Sequence, residues 1–200
     1  MSAQKHIKDL FLRSVATKQA TLETCLPAME RIALLFAEAL QTGKKLLFCG
    51  NGGSAADAQH LAAELLVRLR PMVNRPPIPA IALALDSSSL TACGNDYSFH
   101  DIYARAVSAL GQRGDVLVGI TTSGKSPNVL RAFEAARKQG LHNVGFLGCG
   151  GGPALALCDE ALVVPSKETG RIQETHITAG HAILEVVEDI LLAKDKSICE

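Results

Sequence analysis

Five short apolar runs, spaced along the chain with longer mixed stretches between them, constrain this sequence more than any other feature. Residues 45–49, 79–83, 116–120, 144–148 and 161–165 are each almost unbroken in apolar character. A strand apolar on both faces has to be covered on both faces. Helical stretches, among them residues 55–69 and 127–139, stand between the runs. The alternation predicts an α/β fold, a parallel five-stranded sheet buried between layers of helices. A last long helix is expected over residues 172–193.

Ahead of the first run the chain reads as a helical arm. Ile7, Leu10, Phe11, Val15 and Ala16 recur at helical spacing, as do Leu26, Met29, Ile32, Leu35, Phe36 and Leu40 around and after Pro27. The proline predicts two helices with a break near residues 21–27. An apolar stripe placed before any strand suits packing on a partner subunit, so an oligomer is expected. The whole of 1–200 reads as one domain, with 1–43 as the arm and 44–200 as the α/β core and C-terminal helix.

Composition narrows the function classes. Hydrophobic residues make up 48% of the chain, enough for a sizeable core. Lys plus Arg and Asp plus Glu both number 20, so no overall field draws the protein to nucleic acid or to an acidic membrane. No apolar run approaches the roughly 18 to 20 residues of a membrane span, and the N-terminus lacks the apolar block of a signal peptide. A cytoplasmic protein is the simplest reading. Cys25, Cys49, Cys93, Cys149, Cys158 and Cys199 are widely spaced with no CxxC, and read as small buried hydrophobes. The proline-rich basic stretch 68–77 reads as a solvated connection from which Arg68 or Arg70 could touch a neighbouring subunit.

In open parallel sheets, ligands bind beyond the carboxyl ends of the strands. Two such ends stand out. The first, residues 49–56, carries Gly50, Asn51, Gly52, Gly53 and Ser54. Its glycines let the backbone approach a ligand, and Ser54 is placed to cap the next helix. The second, residues 119–127, gathers the hydroxyls of Thr121, Thr122, Ser123 and Ser126 just before Pro127, a residue suited to the first turn of a helix. Hydroxyls with converging N–H groups are an inventory for gripping phosphate oxygens. The stretch Gly119–Ser126 also matches GxxxxGK(S/T), the nucleotide P-loop pattern. Against that reading, the motif follows an internal strand, and no later strand ends in an Asp able to hold magnesium.

A third constellation lies on helices. His60 and Glu64 are four apart and share one face. Gln173, His176 and His181 follow on the last helix. Imidazole and carboxylate are common zinc ligands. Gln173 and His181 are eight residues apart, roughly 12 Å on a continuous helix. They reach one ion only if Gln173 precedes the regular helix or if two subunits share the site. His176 competes as a ligand, or is a packed or capping histidine.

Taken together, residues 49–64, 94–96, 121–128 and 171–181 resemble the phosphoheptose isomerase family of the sugar isomerase (SIS) fold, from the arm through the last helix. The resemblance implies a flavodoxin-like doubly wound sheet. It implies conversion of D-sedoheptulose 7-phosphate to D-glycero-D-manno-heptose 7-phosphate, the first step towards ADP-heptose for lipopolysaccharide. It further implies a cytoplasmic homotetramer with active sites at subunit interfaces and one zinc per subunit. On that resemblance the zinc ligands fall to His60, Glu64, Gln173 and His181. Substrate contacts fall to Asn51, Gly52, Gly53, Ser54, Glu64, Asn95, Asp96, Thr121, Thr122, Ser123, Ser126 and Gln173. Glu64 is then assigned as base and His181 as its acid partner. Two positions depart from the family pattern: Lys125 stands where a small polar residue is common, and Gly170 where some members carry Asp. Two other readings stay open, a non-enzymatic SIS protein binding the replication initiator and an isomerase of another phosphosugar.

Overall fold

The computed structural model describes residues 2–83 and 86–198. Five strands, Leu46–Gly50 (β1), Ala80–Ala82 (β2), Val116–Thr121 (β3), His142–Leu147 (β4) and Glu160–Val163 (β5), form one parallel sheet in the order β2-β1-β3-β4-β5. Successive side chains of a strand point to opposite faces, and each face has its own core. Leu46, Phe48, Val116, Val118 and Ile120 join one cluster, while Leu47, Cys49 and Leu117 join the other. Helices α1 (Ala3–Gln41), α2 (Gly53–Leu66) and α6 (Thr169–Ile198) cover the first face. Helices α3 (Ser87–Asp96), α4 (Ile102–Leu110) and α5 (Pro127–Gln139) cover the second. Phe48, Phe133 and Phe146 are sealed from solvent, each stabilising the fold by about 1.5–3 kcal/mol.

The elements depart from expectation at identifiable places. α5 begins and ends as expected, because Pro127 opens it and Gly140, at φ +76°, closes it in the left-handed region. β4 starts earlier, at His142, since it pairs with Val116 of β3. The largest correction is the arm. α1 is one continuous helix of 39 residues with Pro27 inside it, not two helices. Proline costs a helix interior about 3 kcal/mol, but Ile32, Ala33 and Phe36 beyond it and Cys25 before it are all packed into the same core. Packing on both sides of the proline holds the helix together. α3 and α4 fill the crossover from β2 to β3 and did not stand out in the sequence. Ser87–Ser89 and Gly94 are poor helix formers, and nine residues give α4 little more than two turns of pattern.

α2 stops at Leu66, short of the expected residue 69, because the Arg75 guanidinium donates to the Glu64 and Leu65 carbonyls at 2.7 and 2.8 Å. The basic stretch is therefore not merely a solvated connection. Arg75 and Arg70 converge on the buried Glu188 carboxylate, and Arg70 also reaches Asp189. The cysteines divide. Cys25, Cys49 and Cys93 are buried as expected, whereas Cys158 is half-buried and Cys149 is exposed on the glycine-rich turn after β4. Cys199 lies outside the described residues.

Candidate active site

The strand order places β1 beside β3, with the chain leaving β1 towards β2 on one side and leaving β3 towards β4 on the other. The loops that follow these two strands diverge, and their helices run onto opposite faces. This is the switch point at which open α/β sheets bind ligands. Gly50 pairs with Ile120, so the glycine loop and the hydroxyl loop leave the sheet side by side.

In the glycine loop, Gly52 takes φ +57°, and it, not Ser54, is the residue that caps α2. No side chain caps that helix, and Ser54 sits buried within its first turn. Gly53 has to be glycine for another reason. A Cβ there would lie 2.4 Å from Gln173 Nε2. From the opposite face, the buried Tyr103 hydroxyl donates to the Gly50 carbonyl. Burial pushes that phenol up to about 12, so it remains a donor near neutral pH.

In the hydroxyl loop, Thr121 is buried at the end of β3 and its Oγ1 meets Ser126 Oγ at 2.9 Å and Ser123 Oγ at 3.4 Å. Ser123 Oγ accepts the Lys125 N–H at 3.1 Å. Ser126 occupies the cap position of α5 without spending its side chain on a capping bond. Gly124, at φ +64°, lies so close to the Gly151 carbonyl that a Cβ would stand 2.0 Å from it. The loop is thus clamped from behind by the turn after β4. Thr122 and Ser123 are half-buried and Lys125 is exposed. The two loops are joined by reciprocal amide bonds, Asn51 Nδ2 to Asn128 Oδ1 and Asn128 Nδ2 to Asn51 Oδ1, both 2.8 Å.

The third constellation assembles between α2 and α6. His60 Nε2 lies 3.2 Å from Glu64 Oε1 and 2.8 Å from His181 Nε2. One donor atom from each of the three residues falls within 4.8 Å of the others. Two facing imidazole nitrogens at such a distance share at most one proton, so lone pairs converge there. Two imidazoles and a carboxylate, with a side open to solvent, suit a zinc ion that keeps a free position. Gln173 stands eight residues before His181. It lies inside α6, which removes the first of the two routes by which it and His181 reach one ion. Its amide rests against Gly53 and hydrogen-bonds Asp57. Asp57 is buried, burial raises its carboxyl above the ordinary range, and its Oδ2 has no protein partner.

The remaining residues of the expected set separate cleanly. His176 is a packed histidine. It is fully buried, its Nε2 meets the Leu147 carbonyl at 2.9 Å, and burial lowers it to about 4. Asn95 and Asp96 close α3, exposed and bonded to one another at 2.8 Å. Arg171 and Glu174 tie α6 to the arm, through the Leu10 carbonyl and the Ser14 hydroxyl. Four contributors went unassigned in the sequence: Asn128, Asp57, Tyr103 and Arg75. Asp57 had a signal, one turn before His60 on the same helix face. Tyr103 and Arg75 had none, since Tyr103 bonds a backbone carbonyl 53 residues away and Arg75 bonds the end of α2 and the Glu188 carboxylate 113 residues away.

The SIS-domain family model matches residues 11–148. The phosphoheptose isomerase of Nitratiruptor sp. is 48% identical over 185 residues, covering 92% of this chain and 98% of that protein. That of Nitratidesulfovibrio vulgaris strain Miyazaki F is 54% identical over 160 residues, covering 80% of this chain and 76% of that protein. Among solved structures, the phosphoheptose isomerase of Neisseria gonorrhoeae superposes with a TM-score of 0.89 at 40% identity, over 94% of this chain and 100% of that one. The phosphoheptose isomerase of Francisella tularensis gives 0.91 at 36% identity, over 94% and 100%.

Proposed function

The chain belongs to the phosphoheptose isomerases of the SIS-domain family, and from that premise we propose that Glu64 and His181 carry the reaction, with the Thr121–Ser126 loop as its phosphate anchor. The enzyme is a sugar-phosphate isomerase converting D-sedoheptulose 7-phosphate to D-glycero-D-manno-heptose 7-phosphate. The observation that carries the residue assignment is the meeting of His60, Glu64 and His181 donor atoms within 4.8 Å.

The reaction moves a carbonyl from C2 to C1 by way of an enediol. Glu64 takes the proton from C1 while His181 gives a proton to the carbonyl oxygen. The proton then returns to C2, and the C1 hydroxyl gives up its own as the aldehyde forms. His60 and Glu64 stand seven and eleven residues beyond Gly53 on α2, roughly 10 and 16 Å along its axis. A long sugar phosphate therefore lies extended, its phosphate at the hydroxyl loop and its reacting carbons towards α2. Thr121, Thr122, Ser123 and Ser126 hold the phosphate, the N–H groups of Gly52 and Gly53 line the sugar, and Asn95 and Asp96 orient hydroxyls. Anchoring the far end fixes the reacting carbons against the base.

His60, Glu64 and His181, with Gln173, form the site for one zinc ion, which when bound supplies a Lewis acid that polarises the carbonyl. Gln173 reaches it from a second subunit. The active assembly is a homotetramer with shared sites. It works in the cytoplasm and delivers heptose for lipopolysaccharide.

The test is direct. Sedoheptulose 7-phosphate is followed by NMR with the native protein and with Glu64→Gln, alongside metal analysis and turnover before and after chelation. Native turnover is expected, with a loss of at least about a hundredfold in the variant and unchanged sugar-phosphate binding. Near-normal turnover by Glu64→Gln removes the base assignment, and turnover indifferent to complete metal removal removes the zinc.

A further inference from the structure

We propose that Asn51 and Asn128 act as a strut that sets the distance between the two ends of the active site. The inference rests on the isomerase reading above and assigns a positioning role within that same site.

A primary amide has two donor hydrogens and one acceptor oxygen. In the Asn51–Asn128 pair each side chain donates to the other's oxygen and accepts from its nitrogen, at 2.8 Å in both directions. Asn128 Oδ1 also accepts the Val129 N–H at 3.0 Å, and Asn128 is 1% exposed. Each heteroatom of the Asn51 amide thus holds one bond to a partner whose orientation its own helix fixes. Removing the Asn51 amide leaves the buried Asn128 Nδ2 without the oxygen it donates to.

The placement gives the pair its consequence. Asn51 immediately precedes the glycines whose backbone lines the sugar, and Asn128 stands on the second residue of α5, just past the phosphate loop. The loops follow different strands and run onto opposite faces, so their separation is not set by either strand alone. The amide pair bridges 77 residues of sequence and closes that gap. Tyr103, donating to Gly50, holds the glycine loop from below. The phosphate end and the reacting end are thereby kept in register, and misplacement at an active site costs up to about a hundredfold in rate.

The experiment is a double-mutant cycle with Asn51→Ala, Asn128→Ala and the double variant. Its readouts are kcat and KM for sedoheptulose 7-phosphate, inhibition by inorganic phosphate, and the thermal midpoint. Each single variant is expected to lower kcat about tenfold, and the double variant to lose about the same tenfold, since the second substitution removes a partner already lost. Inhibition by phosphate, which needs only the hydroxyl loop, is expected to stay within about twofold of the native protein. Additive losses, near a hundredfold in the double variant, or a loss confined to Asn51→Ala, overturn the strut. Losses in kcat that simply follow a fall in thermal midpoint also overturn it, because they mark a folding role alone. If the native protein fails to isomerise the substrate, the functional reading fails; if it turns over and the cycle is additive, only the strut fails.

Discussion

His176 and His181 are five residues apart on one helix, and their surroundings assign them opposite tasks. His181 faces His60 on the open side between α2 and α6. His176 points into the sheet, 6.0 Å from the Phe146 ring, with no exposure. Its folded value of about 4 lies below the 6.5 of a free imidazole, so the neutral form belongs to the folded state. The unfolded chain binds the proton more readily. This contribution to stability is complete above pH 6.5 and is lost as pH falls towards 4, by about 3 kcal/mol in all. Urea unfolding at stepped pH is expected to show this loss in the native protein and a shallower acid limb in His176→Gln. An unchanged limb in the variant would assign the acid sensitivity elsewhere. Sequence spacing offered His176 and His181 equally as ligands; only burial separates them.

At the scale of elements, the positions of Glu64 and His181 depend on how α2 ends. Arg75 takes the last carbonyls of α2 and passes its charge to Glu188 on α6, a carboxylate 1% exposed that also accepts from Arg70 at 2.6 Å. The guanidinium of Arg75 is itself only 3% exposed, so it needs that partner. Removing one member of a buried pair strands the other charge. Glu188→Gln is therefore expected to destabilise the protein by about 3–5 kcal/mol, measured as a shift of the urea midpoint. A change under about 1 kcal/mol would show that water or Asp189 compensates Arg75 instead. Helix ends marked by local residues, such as Pro127 and Gly140 on α5, were legible in the sequence. The end of α2 was not, because its cap comes from a residue in the following loop. Pro27 misled for the same reason, since a local rule for breaking helices yields to packing on both sides of the proline.

For the whole molecule, the notable surface is the outer face of α1. Phe11 is 71% exposed and Val15 61%, and Ile7, Leu12, Leu22 and Leu26 are also exposed along the same helix. So many large apolar side chains on one helix suit a partner subunit, in line with the proposed assembly. Substituting Lys at both Phe11 and Val15 is expected to lower the mass measured by light scattering and, if sites are shared between subunits, to reduce turnover with it. An unchanged mass would place the subunit contact elsewhere.

The chain order of apolar runs and glycine-marked turns was enough to determine a parallel five-stranded α/β sheet and the two loops at its carboxyl ends, because strand burial and turn chemistry are written in adjacent residues. His60 and Glu64 were paired for the same local reason, four apart on one helix. His181 was named with them by the family resemblance, but the tertiary structure alone decided that His176 is buried away from them, that Gln173 rests on Asp57 within the chain, and that Asn128 locks to Asn51. Those outcomes depend on which helix faces meet across the sheet, a relation between distant residues that no local spacing encodes.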